Sequence, residues 1–195
     1  MSEKEKVGLF FGSFNPIHIG HLIVANAMVE TTDLNKIWFV VSPQNPLKPS
    51  KGLLHEFDRY DMVQAAVGDN FKFEASDIEL RLPKPSYTSV TLVHLNEKFP
   101  NKQFVVIVGE DNLDNFQHWK NYEAILNQYG LYVYPRPRST NSKLKDHHNV
   151  RMVPSPLLDI SATYIRERVR NNQSIRYLVP EVVESMIQSK GFYKS

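Results

Sequence analysis

Two histidines and two glycines closely follow the first apolar run of the chain. The run Val7–Phe11 predicts a buried strand, and the loop after it reads GSFNPIHIGH. Gly12 lets the chain leave the strand without a side chain, and Gly20 lets a ligand approach the first turn of the next helix. If that helix begins near His18, then His18 and His21 share a face at its N-terminus, where free N–H groups and the helix dipole favour an anion. The segment from Gly12 to His21 is therefore a candidate phosphate site.

The histidine pair leaves two other interpretations open. The segment could be a polar loop whose histidine only caps a helix. Alternatively, His18 and His21 could bind one metal ion, although no third ligand occurs at a compatible spacing. Neither GxGxxG nor a Walker A sequence is present, so a dinucleotide fingerprint and a P-loop are both unsupported.

A second helix start, near the C-terminus, carries groups that bind phosphate oxygens. The segment Asp159–Arg168 reads DISATYIRER. Ser161 is suited to cap the helix, Thr163 adds a hydroxyl in its first turn, and Arg166 follows about one turn in. Such residues are common in helices, so this segment alone is weak support. Together with the first loop, it predicts two helix N-termini that grip a triphosphate from both sides.

Strands and helices alternate along the chain, and these elements must position the two loops. Predicted strands are Val7–Phe11, Lys36–Val41, Phe71–Glu74, Phe104–Val108, Leu131–Tyr134 and Val150–Val153. Predicted helices are Ile19 to about Glu30, Glu56–Val67, one that begins near Ser86 or Thr88, a polar stretch after Gly109, Ala162–Arg170 and Glu181–Ser189. This order predicts an α/β fold with a parallel sheet, helices on both faces and a helical C-terminal portion.

Two long polar stretches interrupt this pattern. The prolines and serines of Ser42–Gly52 predict a loop, and the basic segment Pro135–Asn149 is expected to be a mobile loop. Ligands of parallel sheets bind beyond the C-terminal ends of the strands. The loops after Phe11, Val108 and Val153 are therefore the expected binding loops.

Composition limits the classes of protein that this chain can belong to. With 195 residues, 42% of them hydrophobic, we expect a single domain spanning residues 1–195. The net charge of +2 means that any anion site must be local, and it gives no reason to expect nucleic acid or a membrane as partner. The absence of cysteine excludes disulfides, thiolate metal sites and cysteine nucleophiles. No apolar run approaches the roughly 20 residues of a membrane span, and MSEKEK is no signal peptide, so we expect a cytoplasmic protein.

Both loop motifs resemble known signatures. GSFNPIHIGH and ISATYIRERV are similar to the paired motifs of the nucleotidyltransferase superfamily that carries an HxGH signature. Within that superfamily, nearly the whole chain resembles the bacterial nicotinate-nucleotide adenylyltransferases. The segments that carry this closer resemblance are KIWFVVSPQNPLK (36–48), KPSYTSVTL (84–92), VIVGEDNLDNFQHWK (106–120), YPRP (134–137) and YLVPEVV (177–183).

The resemblance implies a Rossmann-like, doubly wound fold and a reaction that joins ATP and nicotinate mononucleotide, giving deamido-NAD and pyrophosphate. It implies Mg²⁺ bound through the ATP phosphates, with no metal held by protein side chains. The catalytic residues carried over are His18, His21, Lys48 and Arg166. The ATP-binding residues are Gly12, Ser13, Phe14, Gly20, Gly109, Asp111, Arg136, Ile160, Ser161 and Thr163. The mononucleotide-binding residues are Asn15, Ser86, Tyr87, Thr88 and Trp119, of which Trp119 resembles the residue that stacks on the nicotinate ring.

Five positions depart from the family pattern. Asn15 and Ser13 replace the usual aspartate and threonine of GTFDP. Ala162 replaces a serine, which removes one hydroxyl from the expected phosphate site. Val90 and Leu47 stand where relatives often have aspartate and histidine, near the expected mononucleotide site. These last two put some acceptor contacts in doubt.

Three alternative functions remain at this point. The chain could be another HxGH nucleotidyltransferase that acts on nicotinamide mononucleotide or phosphopantetheine, or a cytidylyltransferase. It could be related to aminoacyl-tRNA synthetases, although it has no KMSKS-like segment and is far too short for their additional domains. It could also bind nucleotides without turnover. The sequence leaves open the choice between nicotinate and nicotinamide, the metal preference and the oligomeric state, including a homo-oligomer.

Overall fold

The computed structural model describes residues 4–44, 52–137 and 142–194, so the predicted roles of Leu47 and Lys48 lie outside the described residues. The strands are β1 (Glu5–Gly12), β2 (Lys36–Val41), β3 (Phe73–Ser76), β4 (Lys102–Gly109), β5 (Leu131–Tyr134) and β6 (Val150–Met152). The helices are α1 (Ile19–Thr31), α2 (Glu56–Val67), α3 (Thr88–Lys98), α4 (Glu110–Asp114), α5 (Tyr122–Tyr129), α6 (Ala162–Arg170) and α7 (Glu181–Lys190). Short 3-10 turns cover Ile78–Arg81, Phe116–His118 and Lys143–Asp146.

The six strands form one sheet in the order β3-β2-β1-β4-β5-β6, and every neighbouring pair is parallel. This confirms the predicted α/β, Rossmann-like fold, because 3-2-1-4-5-6 is the strand order of doubly wound sheets. The order reverses between β1 and β4. The loops after these two strands turn to opposite faces there and leave a crevice beyond the strand ends, where such folds bind ligands.

Helices cover both faces of the sheet, as the apolar strands require. Alternate residues of β4 face opposite sides: Val105 and Ile107 join one core, while Phe104, Val106 and Val108 join the other. The first core is completed by α1, α2, α6 and α7, and the second by α3, α4 and α5. Both faces of the sheet are therefore buried, which explains why its central strands read as continuous apolar runs.

The structure differs from the sequence prediction at the start of β3 and adds a short turn to one predicted loop. Strand β3 begins at Phe73, two residues after the predicted start, and Phe71 is 83% exposed in the turn before it. The described part of Pro135–Asn149 contains the 3-10 turn Lys143–Asp146, which an ion pair between Lys145 and Glu110 ties to α4. No helix of the described residues is long and apolar enough to cross a membrane.

Candidate functional site

The loop after β1 is shaped by a phenylalanine that folds back over the strand end. Phe14 adopts a positive φ of 43°, and a methyl group added at Gly12 would lie 2.8 Å from its ring. The Phe14 ring is buried and contacts the rings of Phe10 and His21 edge-on. Because this ring belongs to the core, only the backbone of Phe14 is available for the ATP contact predicted from the sequence.

The two histidines of the motif lie together at the start of α1. His18 is the N-cap residue, and its ring stacks on that of His21 with centroids 3.7 Å apart. The backbone N–H of His18 donates to Nδ1 of His21 over 3.2 Å. Since Nδ1 of His21 accepts, we assign its proton to Nε2, which is then a donor. A methyl group at Gly20 would lie 3.0 Å from Nδ1 of His18, so any other residue there would crowd the His18 ring.

Both imidazoles are held in the neutral form. Burial, with a smaller contribution from the nearby Arg136, lowers the pKa of His18 to about 4. Burial also lowers the pKa of His21 well below its ordinary value, helped by His18 and Arg136. Each ring therefore carries one N–H at neutral pH and acts as a directed hydrogen-bond donor without a full charge. The described residues contain no group of three or more His, Asp or Glu side chains that could hold a metal ion.

The second predicted helix start lies against the first. Ser161 caps α6 by accepting from the backbone N–H of Tyr164 at 3.2 Å. Arg166 donates to the carbonyl oxygen of Asn15 at 2.8 Å and to the hydroxyl of Thr163 at 3.2 Å. The Arg166–Asn15 bond joins residues 151 positions apart. The structure thus brings the two motif segments together, as the sequence predicted.

A narrow cleft runs between these helix starts and the end of β5. We call it the phosphate cleft, and His18, Gly20, His21, Arg136 and Ile160 line it. Arg136 approaches Asp111, with Nε 3.8 Å from the carboxylate, and its guanidinium lies over the ring of Tyr134. The position of the Asp111 carboxylate depends on Gly109, because a methyl group on residue 109 would lie 2.4 Å from Oδ1 of Asp111.

A larger cavity of about 360 Å³ opens beside this cleft, between the ends of β1 and β4. We call it the acceptor cavity. The predicted site residues that line it are Gly12, Ser13, Ser86, Tyr87, Thr88, Gly109 and Trp119. Val90, one of the departures from the family pattern, is exposed on α3 and lies outside the lining. Ligand sites of this size are typical of small molecules, for which volumes of roughly 300–1,000 Å³ are usual.

The side chain of Asn15, which the sequence assigns to the mononucleotide, makes hydrogen bonds within the protein. Its side chain is buried and donates to the carbonyl oxygen of Gly52 at 2.9 Å. Its Oδ1 accepts from the backbone N–H of Leu54 at 3.2 Å and from the hydroxyl of Tyr193 at 2.9 Å. These three bonds tie the loop after β1 to residues 52–54 and to the C-terminal segment.

Sequence reasoning missed Arg59, which is completely buried in α2. Its guanidinium donates to four carbonyl oxygens at 2.5–2.9 Å, those of Ser13, Ser42, Pro43 and Leu54. Burial lowers the pKa of Arg59, which nevertheless stays charged. This one side chain therefore holds the loops after β1 and β2 together. The signal was its spacing, since Arg59 shares the buried face of α2 with Met62 and Val63.

Sequence reasoning also missed Glu79, whose side chain is buried at the wall of the acceptor cavity. Its two oxygens accept from the hydroxyls of Ser86 and Thr91, each at 2.8 Å. Burial raises the pKa of Glu79, against the opposite effect of these hydroxyls. The carboxyl group fixes the segment that begins α3, and nothing in its sequence position indicates this.

Known proteins resemble the chain along nearly its full length. The profile of a family described as cytidylyltransferase-like matches residues 9–168. A Cytophaga hutchinsonii protein named as a probable nicotinate-nucleotide adenylyltransferase is 62% identical over 190 residues, which cover 97% of this chain and 99% of that protein. A Flavobacterium psychrophilum protein of the same name is 47% identical over 191 residues, with the same coverage of both chains.

Solved structures show the same fold at low sequence identity. Plasmodium falciparum nicotinic acid mononucleotide adenylyltransferase in complex with NaAD aligns with a TM-score of 0.80 at 18% identity, covering 97% of both chains. The Plasmodium falciparum enzyme in complex with APC gives a TM-score of 0.79, also at 18% identity, covering 98% of both chains.

Proposed function

Since the chain belongs to the nicotinate-nucleotide adenylyltransferase family, we propose that it transfers the adenylyl group of ATP to nicotinate mononucleotide in NAD biosynthesis. The products are deamido-NAD and pyrophosphate. The observation that carries the proposal is the hydrogen bond from Arg166 to Asn15, because it brings both phosphate-binding helix starts to one place. The acceptor cavity lies next to them at the switch point of the sheet.

The reaction asks for positioning and charge stabilisation, with no general base. The 5′-phosphate of the acceptor is already ionised at neutral pH, because its second pKa is about 6. One of its oxygens attacks the α-phosphorus of ATP in line, the bond to the β-phosphate oxygen breaks, and pyrophosphate leaves with the electron pair. The protein therefore needs donors aimed at the α-phosphate and at the departing pyrophosphate.

The phosphate cleft supplies such donors. The neutral imidazoles of His18 and His21 offer N–H groups, Arg166 contributes a cation, and the first turns of α1 and α6 add backbone N–H groups. We assign Lys48 a further cationic role from its place in the family motif. Gly109, Asp111 and Arg136 form the side of the cleft assigned to the adenosine portion of ATP.

Mg²⁺ fits this site as an ion carried by the nucleotide. The described residues offer cations and neutral donors around the cleft, and no cluster of carboxylates that could bind the ion itself. ATP phosphate oxygens are therefore its proposed ligands. When bound, the ion neutralises charge on the phosphates.

The acceptor cavity supplies the mononucleotide site. Its aromatic walls, Tyr87 and Trp119, suit a flat ring, and the hydroxyls of Ser86 and Thr88 lie at the start of α3. We assign ring stacking to Trp119. Both proposed substrates are small molecules, and we expect the enzyme to work in the cytoplasm without nucleic acid or membrane, which cell fractionation would test.

A pyrophosphate-release assay tests the proposal directly. Purified protein is incubated with ATP and Mg²⁺, and with nicotinate mononucleotide, nicotinamide mononucleotide or phosphopantetheine at equal concentration, while CTP replaces ATP in a parallel series. We expect release with ATP and nicotinate mononucleotide, at least tenfold faster than with the nicotinamide form. Equal rates would contradict the acceptor assignment, and no release under any condition would favour a non-catalytic nucleotide-binding protein.

A further inference from the structure

The wall of the acceptor cavity carries very little formal charge. Among the described residues that line it, Lys120 is the one lysine or arginine and Glu79 is the one carboxylate. The Glu79 carboxyl group is buried and occupied by the hydroxyls of Ser86 and Thr91. Within the described part of the wall, Lys120 is therefore the one lysine or arginine that an anionic ligand could meet.

The position of Lys120 is defined by its neighbours. Its Nζ lies 4.6 Å from the centroid of the Tyr87 ring, at a distance where the ring face attracts an ammonium ion. The turn before α5 is fixed by two backbone bonds: Trp119 N–H donates to Phe116, and Trp119 oxygen accepts from Tyr122. Lys120 makes no ion pair with any described residue, and its side chain is exposed. The ammonium is thus beside the Tyr87 wall of the cavity and available to a ligand.

We propose that Lys120 is a specificity-determining residue whose ammonium pairs with the carboxylate on the pyridine ring of the acceptor. The proposal rests on the proposed function and deepens it. Nicotinate and nicotinamide mononucleotides share their ribose and phosphate. The pyridine ring carries a carboxylate in the first and a neutral amide in the second. A cation beside an aromatic wall of the cavity favours the carboxylate over the amide, whereas a cation that bound the shared phosphate would favour neither.

The test replaces the charge while keeping a long side chain. Lys120→Met is compared with the wild type in steady-state assays with each mononucleotide. We expect kcat/KM for nicotinate mononucleotide to fall about fivefold, mainly through KM, the upper end of the scale for one exposed ion pair. The value for nicotinamide mononucleotide should not change, so the preference ratio drops about fivefold. Lys120→Arg, which retains the charge, should restore most of the ratio.

Lys98→Met is the matched control. Lys98 is also exposed and also lies over an aromatic ring, with Nζ 5.4 Å from the centroid of Phe99, but it stands at the far end of α3 from the cavity. This variant should keep the wild-type ratio. An unchanged ratio in Lys120→Met, or an equal fall for both acceptors, would overturn the proposal.

Calorimetry separates this inference from the proposed function. The affinities of wild type and Lys120→Met for each mononucleotide are measured without ATP, so no turnover is needed. A selective loss of nicotinate mononucleotide affinity in the variant supports the role of Lys120 even if the wild type released no pyrophosphate. Equal affinities in both proteins refute it even if the wild type is active.

Discussion

The phosphate cleft and the acceptor cavity are built differently. In the cleft, His18 and Gly20 are buried and the two imidazoles stack on each other. At the start of α6, Arg166 is bonded to the loop after β1 before any substrate arrives. In the cavity, Trp119 is only partly buried and Lys120 is exposed. Donors that stabilise the transition state must be preorganised, whereas groups that select the acceptor need only contact it when it binds. We therefore expect the phosphate cleft to determine the rate of transfer and the acceptor cavity to determine which mononucleotide is used.

The largest expected effect comes from the cleft. His18→Ala should lower kcat/KM by about 10²–10³, the scale for losing one preorganised donor. Initial rates at saturating and limiting acceptor concentrations measure this. His148→Ala, an exposed histidine outside both regions, is the control and should retain full activity. Wild-type turnover by purified His18→Ala would remove the cleft from the mechanism.

Burial of the imidazoles should also make the free energy of unfolding depend on pH. The folded pKa of His18 is about 4, against 6.5 for a free histidine. Between these values the unfolded chain binds a proton that the folded chain excludes, so the free energy of unfolding falls as pH is lowered from 6.5 towards 4. The loss from this group reaches about 3 kcal/mol at its limit. Urea unfolding at pH 7 and pH 5 measures it, and an equally large drop in His18→Gln would show that other groups cause it.

Much of this layout was predictable from local patterns. The apolar runs predicted the strands, and the capping and glycine positions around His18 and Ser161 predicted the two helix starts. Long-range polar contacts were not predictable. The Asn15 side chain is satisfied by Tyr193, far along the chain, and Arg59 bonds to backbone carbonyls, which every residue type carries. The predicted start of β3 at Phe71 was wrong because an apolar side chain is not always buried.

A smaller effect, confined to the acceptor, is expected from the cavity. Trp119→Ala should raise KM for the mononucleotide about tenfold, since stacking on an aromatic side chain contributes roughly 1–3 kcal/mol. KM for ATP should stay within twofold, because Trp119 lies outside the phosphate cleft. Phe71→Ala, which removes an aromatic ring that is 83% exposed, is the control. A matching rise in KM for ATP would show that the two regions are not separable.

The smallest effect concerns the tie between the loop after β1 and the C-terminal segment. Tyr193→Phe removes the hydroxyl that donates to Oδ1 of Asn15 at 2.9 Å. We expect the free energy of unfolding to fall by about 1 kcal/mol, the usual net contribution of one hydrogen bond. KM for the mononucleotide should not change. A tenfold rise in KM would instead support the predicted contact of Asn15 with the mononucleotide, and paired urea unfolding and kinetic measurements distinguish the two results.

Arg59 limits how the loops after β1 and β2 can vary in length. Its guanidinium grips Ser13 after β1 and both Ser42 and Pro43 after β2, so these carbonyls must keep their spacing to within a hydrogen-bond length. An inserted residue between Gly12 and Ser13, or between Val41 and Pro43, would leave a buried cation facing missing acceptors. Arg59 also bonds to the carbonyl oxygen of Leu54, so it holds the chain again before α2 begins. We therefore expect the strand ends next to the chemistry to resist changes in length.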